Sequence, residues 1–213
     1  MTKTKQILWS ILNKLKMGGA IQLRINSSLL HDGWFRTFET KTAVDKNGNP
    51  IPWWTYSFID FITPRLKNDF DVFEYGCGNS TIWLAERVKS IKSVENNNGW
   101  FKLISQKLPA NAEVVYRQLE NGYTKEVTQS RKKYHIIIID GRERVESAKN
   151  SIEYLQENGV IIFDNSDRGQ YTEALQLLKE NNFKRLDFYG IGPVTPIKTC
   201  TSIFYKKNNC LEI

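Results

Sequence analysis

Beyond residue 70, four short apolar runs each close on polar, mostly acidic residues, and this repeated ending constrains the chain more than any other feature. Residues 71–75 (DVFEY) run into Gly76-Cys77-Gly78-Asn79-Ser80-Thr81, and residues 91–95 end in Glu95. Residues 134–140 (YHIIIID) end in Asp140-Gly141-Arg142, and residues 159–164 (GVIIFD) in Asp164-Asn165-Ser166-Asp167. A run as continuously apolar as 134–139 suits a strand covered on both sheet faces. Stretches of helical period at 80–89, 99–108, 144–157 and 171–180 separate the runs, with a further strand at 113–117. Parallel strands joined by helices put their carboxyl ends on one edge, where such sheets bind ligands. Residues 185–189 and 201–206 are strands with no helix between them, so they pair antiparallel. The expected fold is α/β: an open, mostly parallel seven-stranded sheet with a C-terminal antiparallel β-hairpin and helices on both faces.

The 213 residues, 40% of them hydrophobic, suffice for one domain with an extension. Residues 1–52 are expected to form an N-terminal leader and 53–213 the domain. In the leader, Ile7, Leu8, Ile11, Leu12 and Leu15 share one face of a basic amphipathic helix, followed by polar turns around Asp32-Gly33 and residues 46–50. That helix is expected to dock on protein, either its own domain or a second subunit as a homo-oligomer contact, before a membrane surface. The apolar stretch 7–12 is too short for a signal peptide, and no run approaches the length of a spanning helix. Three cysteines and two histidines form neither a disulfide framework nor a zinc site, which suits a reducing, cytoplasmic setting. The net charge of +7 is scattered, and its densest clusters, Arg131-Lys132-Lys133 and Lys206-Lys207, read as solvated surface. No specific nucleic-acid partner is expected.

The first strand-end loop carries the most chemistry. Gly76 and Gly78 permit a tight turn and close approach of a ligand to bare backbone. A dinucleotide loop would need a third glycine where Thr81 stands. Glu74 would repel a pyrophosphate but suits a ligand bearing an ammonium group. Glu95, 17 residues after Gly78, can accept from two ribose hydroxyls. A ribose joined to a cationic, phosphate-free group describes S-adenosylmethionine. Over residues 53–207 the chain resembles the class I S-adenosylmethionine-dependent methyltransferases, with their Rossmann-like sheet. Glu74-x-Gly76-x-Gly78 matches the family's E-x-G-x-G-x-G loop, with Ser80 in place of the third glycine. Glu95 matches its ribose acid, Asp140 its fourth-strand acid and the terminal hairpin its reversed strand. The resemblance implies a cofactor site of Glu74, Gly76, Gly78, Asn79, Ser80, Glu95, Asp140 and Gly141.

Asp140 and Asp164-Asn165 also stand where catechol-type O-methyltransferases hold a divalent metal, so that likeness implies Mg²⁺ on Asp140, Asp164 and Asn165. Those enzymes follow the first Asp with a lysine base, whereas this chain continues Gly141-Arg142-Glu143-Arg144. The motif of amino-methylating enzymes is absent after Asp140, and no cysteine between 78 and 199 could serve a cytosine-C5 mechanism. Oxygen methylation of a small molecule is the expected activity, with Asp140 or Asp164 as catalytic base or metal anchor. The substrate side is expected at Trp54, Tyr56, Asn165, Asp167 and Arg168, with Tyr171 and the loop 190–193 nearby. His135 reads as a core residue, and Cys77 as a small turn residue. A non-catalytic S-adenosylmethionine-binding module or a nucleic-acid-binding module is the alternative.

Overall fold

The computed structural model describes residues 2–213. Its helices are α1 (Lys3–Lys14), α2 (Gly18–Ile25), α3 (Ser28–His31), α4 (Trp34–Thr40), α5 (Tyr56–Ile62), α6 (Asn79–Ala85), α7 (Asn98–Ser105), α8 (Arg144–Ser151) and α9 (Thr172–Glu180). The strands are β1 (Asp71–Tyr75), β2 (Ser90–Glu95), β3 (Ala112–Tyr116), β4 (Tyr134–Ile139), β5 (Leu155–Asp164), β6 (Lys184–Gly190) and β7 (Thr199–Tyr205). They form one sheet in the order β3-β2-β1-β4-β5-β7-β6. β1 to β5 pair parallel, and β7 runs antiparallel to both β5 and β6. This is the expected fold. The chain winds outward from β1 to β3, then returns to start β4 on the other side of β1. The winding reverses between β1 and β4, and a crevice opens there at the carboxyl ends.

Successive strand residues point to opposite faces, and both faces here are covered. Val72, Ile136, Ile138 and Ile162 pack with Trp54, Phe58 of α5 and Trp83 and Leu84 of α6. Phe73, Tyr75, Ile137, Ile139 and Ile161 pack with Ala148 of α8 and with Ala174 and Leu178 of α9. Each buried aliphatic side chain contributes about 1.5–3 kcal/mol relative to exposure. Burial on both faces is the physical origin of the unbroken apolar run at 134–139.

Two expectations need correction. The helix expected over 144–157 stops early: α8 ends at Ser151, one 3-10 turn covers Ile152–Tyr154, and Leu155 enters the sheet opposite Tyr134. The register then shifts, so that Ile136 faces Val160. Leu155 joins the buried layer beneath α8, a better fate for an apolar side chain than another exposed helical turn. The second correction concerns the leader, where the turns at Asp32-Gly33 and 46–48 stand as expected but three further helices, α2 to α4, accompany them. Ser27 caps α3 by accepting from Leu30 N–H (3.2 Å). α4 is clamped to the loop between β6 and β7: Trp34 Nε1 donates to Thr195 O (3.0 Å), and Val194 N–H donates to Thr37 Oγ1 (2.8 Å). α1, expected to dock, buries none of its residues. His135 is structural, as expected: its Nδ1 accepts from Asp71 N–H (3.0 Å) and its ring stacks on Phe70, at the sheet edge opposite the crevice.

Candidate functional site

The crevice is a cavity of about 820 Å³ whose floor is the two glycine-bearing turns after β1 and β4. Gly76 sits at φ +91, a left-handed conformation that favours glycine, and its N–H donates to Val94 O (2.8 Å). Gly141 lies against it so closely that an added Cβ would come within 1.9 Å of Tyr123 Oη and 2.8 Å of Gly76 N. The two turns are one packed unit.

Glu74 is buried behind this floor and meets three hydroxyls. Oε1 accepts from Ser80 Oγ (2.5 Å), and Oε2 accepts from Thr81 Oγ1 (2.6 Å) and Ser93 Oγ (2.8 Å). Thr81 Oγ1 also accepts from Gly78 N–H (3.0 Å), which fixes the start of α6. Burial pushes the Glu74 carboxyl up to about 7, against the pull of these donors. Glu74, expected to face a ligand ammonium, lines the cavity while its carboxyl oxygens accept from these three hydroxyls. Ser80, which stands where the family loop has its third glycine, and Thr81 both donate to Glu74.

On the β2 side, Glu95 Oε1 accepts from Asn96 N–H (2.9 Å) and Asn97 N–H (2.7 Å), and Oε2 accepts from Cys77 N–H (3.2 Å). These donors fix the carboxylate at the rim of the cavity. Beside it stands Trp100, 41% exposed, whose Nε1 donates to Cys77 O (2.6 Å). The helical period over 99–108 alone does not single out Trp100 as a site residue. The signal that could have found it is its place in the first helical turn after an acid-ended strand. Cys77 is a turn residue, and burial raises its thiol pKa well above the ordinary range.

On the β4 and β5 side, Arg144 organises the site. Its Nη2 donates to Asp140 Oδ1 (2.9 Å) and Asp140 O (3.1 Å), its Nε donates to Gly141 O (3.0 Å), and its Nη1 donates to Asp164 O. Asp140 Oδ2 accepts from Trp54 Nε1 (3.3 Å), and Asp164 Oδ1 accepts from Thr201 Oγ1 (2.6 Å). Burial raises the Asp140 pKa while the Arg144 charge opposes it. Burial, then the neighbouring Asp140 charge, push Asp164 up to about 8. Arg144, which the sequence shows only as part of a departure from the lysine of catechol-type enzymes, opens α8 four residues after Asp140.

This donor set does not fit the Mg²⁺ implied by the catechol-type likeness. A guanidinium already balances Asp140, and burial with the neighbouring Asp140 charge pushes Asp164 toward its neutral form. Among the described residues, no group of three His, Cys, Asp or Glu could hold a metal.

Gly78, Asn79, Ser80, Trp54, Asn165, Asp167 and Arg168 line the cavity, as does Tyr171. Asp167 Oδ1 accepts from Thr199 Oγ1 (3.0 Å) and Cys200 N–H (3.1 Å). Trp54 is almost wholly buried, and its neighbour Trp53 offers the exposed ring. Tyr56 is the exception: it lies toward Thr37 and Asp32 and lines no part of the cavity. Unforeseen wall residues come from 41–43, where Asn79 Nδ2 donates to Ala43 O (2.6 Å), and from Thr195 to Thr199.

No protein-family model matches the chain, and no curated protein matches it either. Solved structures do. A precorrin-6y C5,15-methyltransferase from Geobacter metallireducens is 14% identical with a TM-score of 0.59, covering 79% of this chain and 96% of that one. A TehB-like SAM-dependent methyltransferase from Corynebacterium glutamicum is 14% identical, TM-score 0.53, covering 71% and 88%. An rRNA methylase from Streptococcus thermophilus is 15% identical, TM-score 0.53, covering 70% and 93%. At such identities the likeness is one of fold, and the fold is the Rossmann-like one of class I methyltransferases.

Proposed function

We propose that this chain transfers a methyl group from S-adenosylmethionine to a hydroxyl of a small molecule. The observation that carries the reading is the division of the cavity: Glu95 and Trp100 stand on the β2 side of a glycine floor, and Asp140 and Asp164 on the β4 and β5 side. The residues fit the cofactor. Glu95 suits paired ribose hydroxyls, the Trp100 ring a flat base, and the bare backbone of 76–78 a close-lying amino-acid portion. When bound, the cofactor supplies an electrophilic methyl carbon on a sulfonium.

The chain contributes alignment, exclusion of water and a place for the acceptor proton. Asp164, whose carboxyl burial pushes up to about 8, takes that proton only in its ionised form, so this role is filled toward alkaline pH. Asp140, tied to Arg144 and Trp54, holds the floor of the acceptor side in place. Arg142, Arg168 and Lys198 line the same side and form no ion pair among the described residues, which favours an acceptor that carries negative charge.

Titration calorimetry with S-adenosylhomocysteine tests the reading. Wild type should bind it, and Glu95→Ala should weaken binding by about 1.5–3 kcal/mol, the range for hydrogen bonds to a charged group. Binding of NAD in its place would overturn the proposal.

A further inference from the structure

The N-terminal arm carries chemistry that the cavity does not use. Ile7, Leu8, Ile11 and Leu15 are 63%, 55%, 50% and 62% exposed. At 3.6 residues per turn they share one arc of α1, with Lys3 and Lys14 on one margin and Lys5 on the other. So much exposed apolar surface on one arc marks an interaction face. Charge identifies the occupant. Residues 2–31 contain Lys3, Lys5, Lys14, Lys16 and Arg24 and no Asp or Glu, a net +5, whereas the rest of the chain carries +2. A second copy of the arm would set like charge against like charge with no carboxylate between them. Among the described residues, no helix is long and apolar enough to cross a bilayer.

We propose that α1 is a docking helix for an anionic lipid surface. It lies in the plane of the interface, with its apolar arc at the boundary between headgroups and acyl chains. The lysine stems on the margins cover apolar surface while their ammonium groups reach lipid phosphates. The occupant is therefore a bilayer bearing negative headgroups. This inference stands apart from the proposed methyl transfer.

Cosedimentation of the full chain with vesicles provides the test. The protein should pellet with phosphatidylcholine vesicles that contain phosphatidylglycerol, remain in solution with pure phosphatidylcholine, and be released by salt. Ile11→Glu should abolish pelleting. Lys14→Gln combined with Lys16→Gln should lower partitioning about twenty-five-fold, from about five-fold per lysine near an anionic surface. Ile11, Lys14 and Lys16 are all exposed, so these variants should keep the wild-type melting temperature and S-adenosylhomocysteine affinity. Failure to pellet with the phosphatidylglycerol vesicles would overturn the proposal, as would equal pelleting with pure phosphatidylcholine. A stable dimer in sedimentation equilibrium that Ile11→Glu converts to monomer would assign the arc to a second copy and overturn it equally.

Discussion

Two buried acidic centres flank the cavity floor, and they are balanced by different means. Glu74 is surrounded by neutral donors, the hydroxyls of Ser80, Thr81 and Ser93. Asp140 and Asp164 share a cation, Arg144, and Asp164 sits near the pH at which it releases its proton. Hydroxyl donors fix a carboxyl in place with no charge of their own. A guanidinium between two strand ends couples charge, backbone and proton in one group. The first centre builds a turn, and the second can do proton chemistry.

Removing Arg144 should separate the two centres most sharply. Arg144→Leu leaves acids in the interior without their cation, and urea denaturation should register a loss of about 3–5 kcal/mol. Arg144→Lys should recover only part of it, because an ammonium cannot reproduce the forked contacts to Asp140, Gly141 and Asp164. Equal stability of the leucine variant would show that Arg144 does not balance these acids.

The next largest effect is in pH dependence. Asp164 titrates at about 8 when folded, against about 3.9 in an unfolded chain. The folded state therefore binds the extra proton between these values, and stability falls as pH rises through that window, by up to about 1.4 kcal/mol per unit. Urea midpoints measured across the window should show this decline, and Asp164→Asn should flatten it. Glu74, raised to about 7, should add a decline of its own below that pH in wild type and variant alike, so the flattening is read between about pH 7 and 8. A wild-type profile without decline would place the Asp164 pKa in the ordinary range.

At the hydroxyl-lined centre the expected effect is smaller. Ser93→Ala removes one of three donors to Glu74 and should cost about 1 kcal/mol. A cost as large as that of Arg144→Leu would erase the contrast between the centres. The smallest expected effect is none: methyl transfer should proceed unchanged in EDTA, since Arg144 stands where a metal would balance the acids.

The strand ends were legible because acid, glycine and apolar run lie together in the sequence. Glu74, Glu95, Asp140 and Asp164 reach one edge for the reason expected, the parallel sheet. What the sequence could not convey was which oxygens would already be engaged. Glu74 meets Ser93 because β1 and β2 pair in a register that sets those residues opposite each other, and register is a tertiary fact. Trp100 and Arg144 were hidden because helical period labels a residue apolar or charged without saying which end of its helix reaches the cavity. The turn before Arg144 bends through Glu143 at φ +48, a left-handed conformation glutamate rarely signals. α4 of the leader is tied to partners more than a hundred residues away, Thr195 for Trp34 and Val194 for Thr37. Local pattern carries no trace of them.

Gly141 has a consequence for how such a cavity can vary. With no room for even a methyl group between Tyr123 and Gly76, the floor acts as a keel, and neither turn can shift without the other. Any change of shape around a guest must come from the gunwales, residues 41–43 on one side and 192–199 on the other, which α4 lashes together through Trp34 and Thr37. Substitutions there can reshape the opening while the keel stays put, so specificity can drift without the hull being rebuilt.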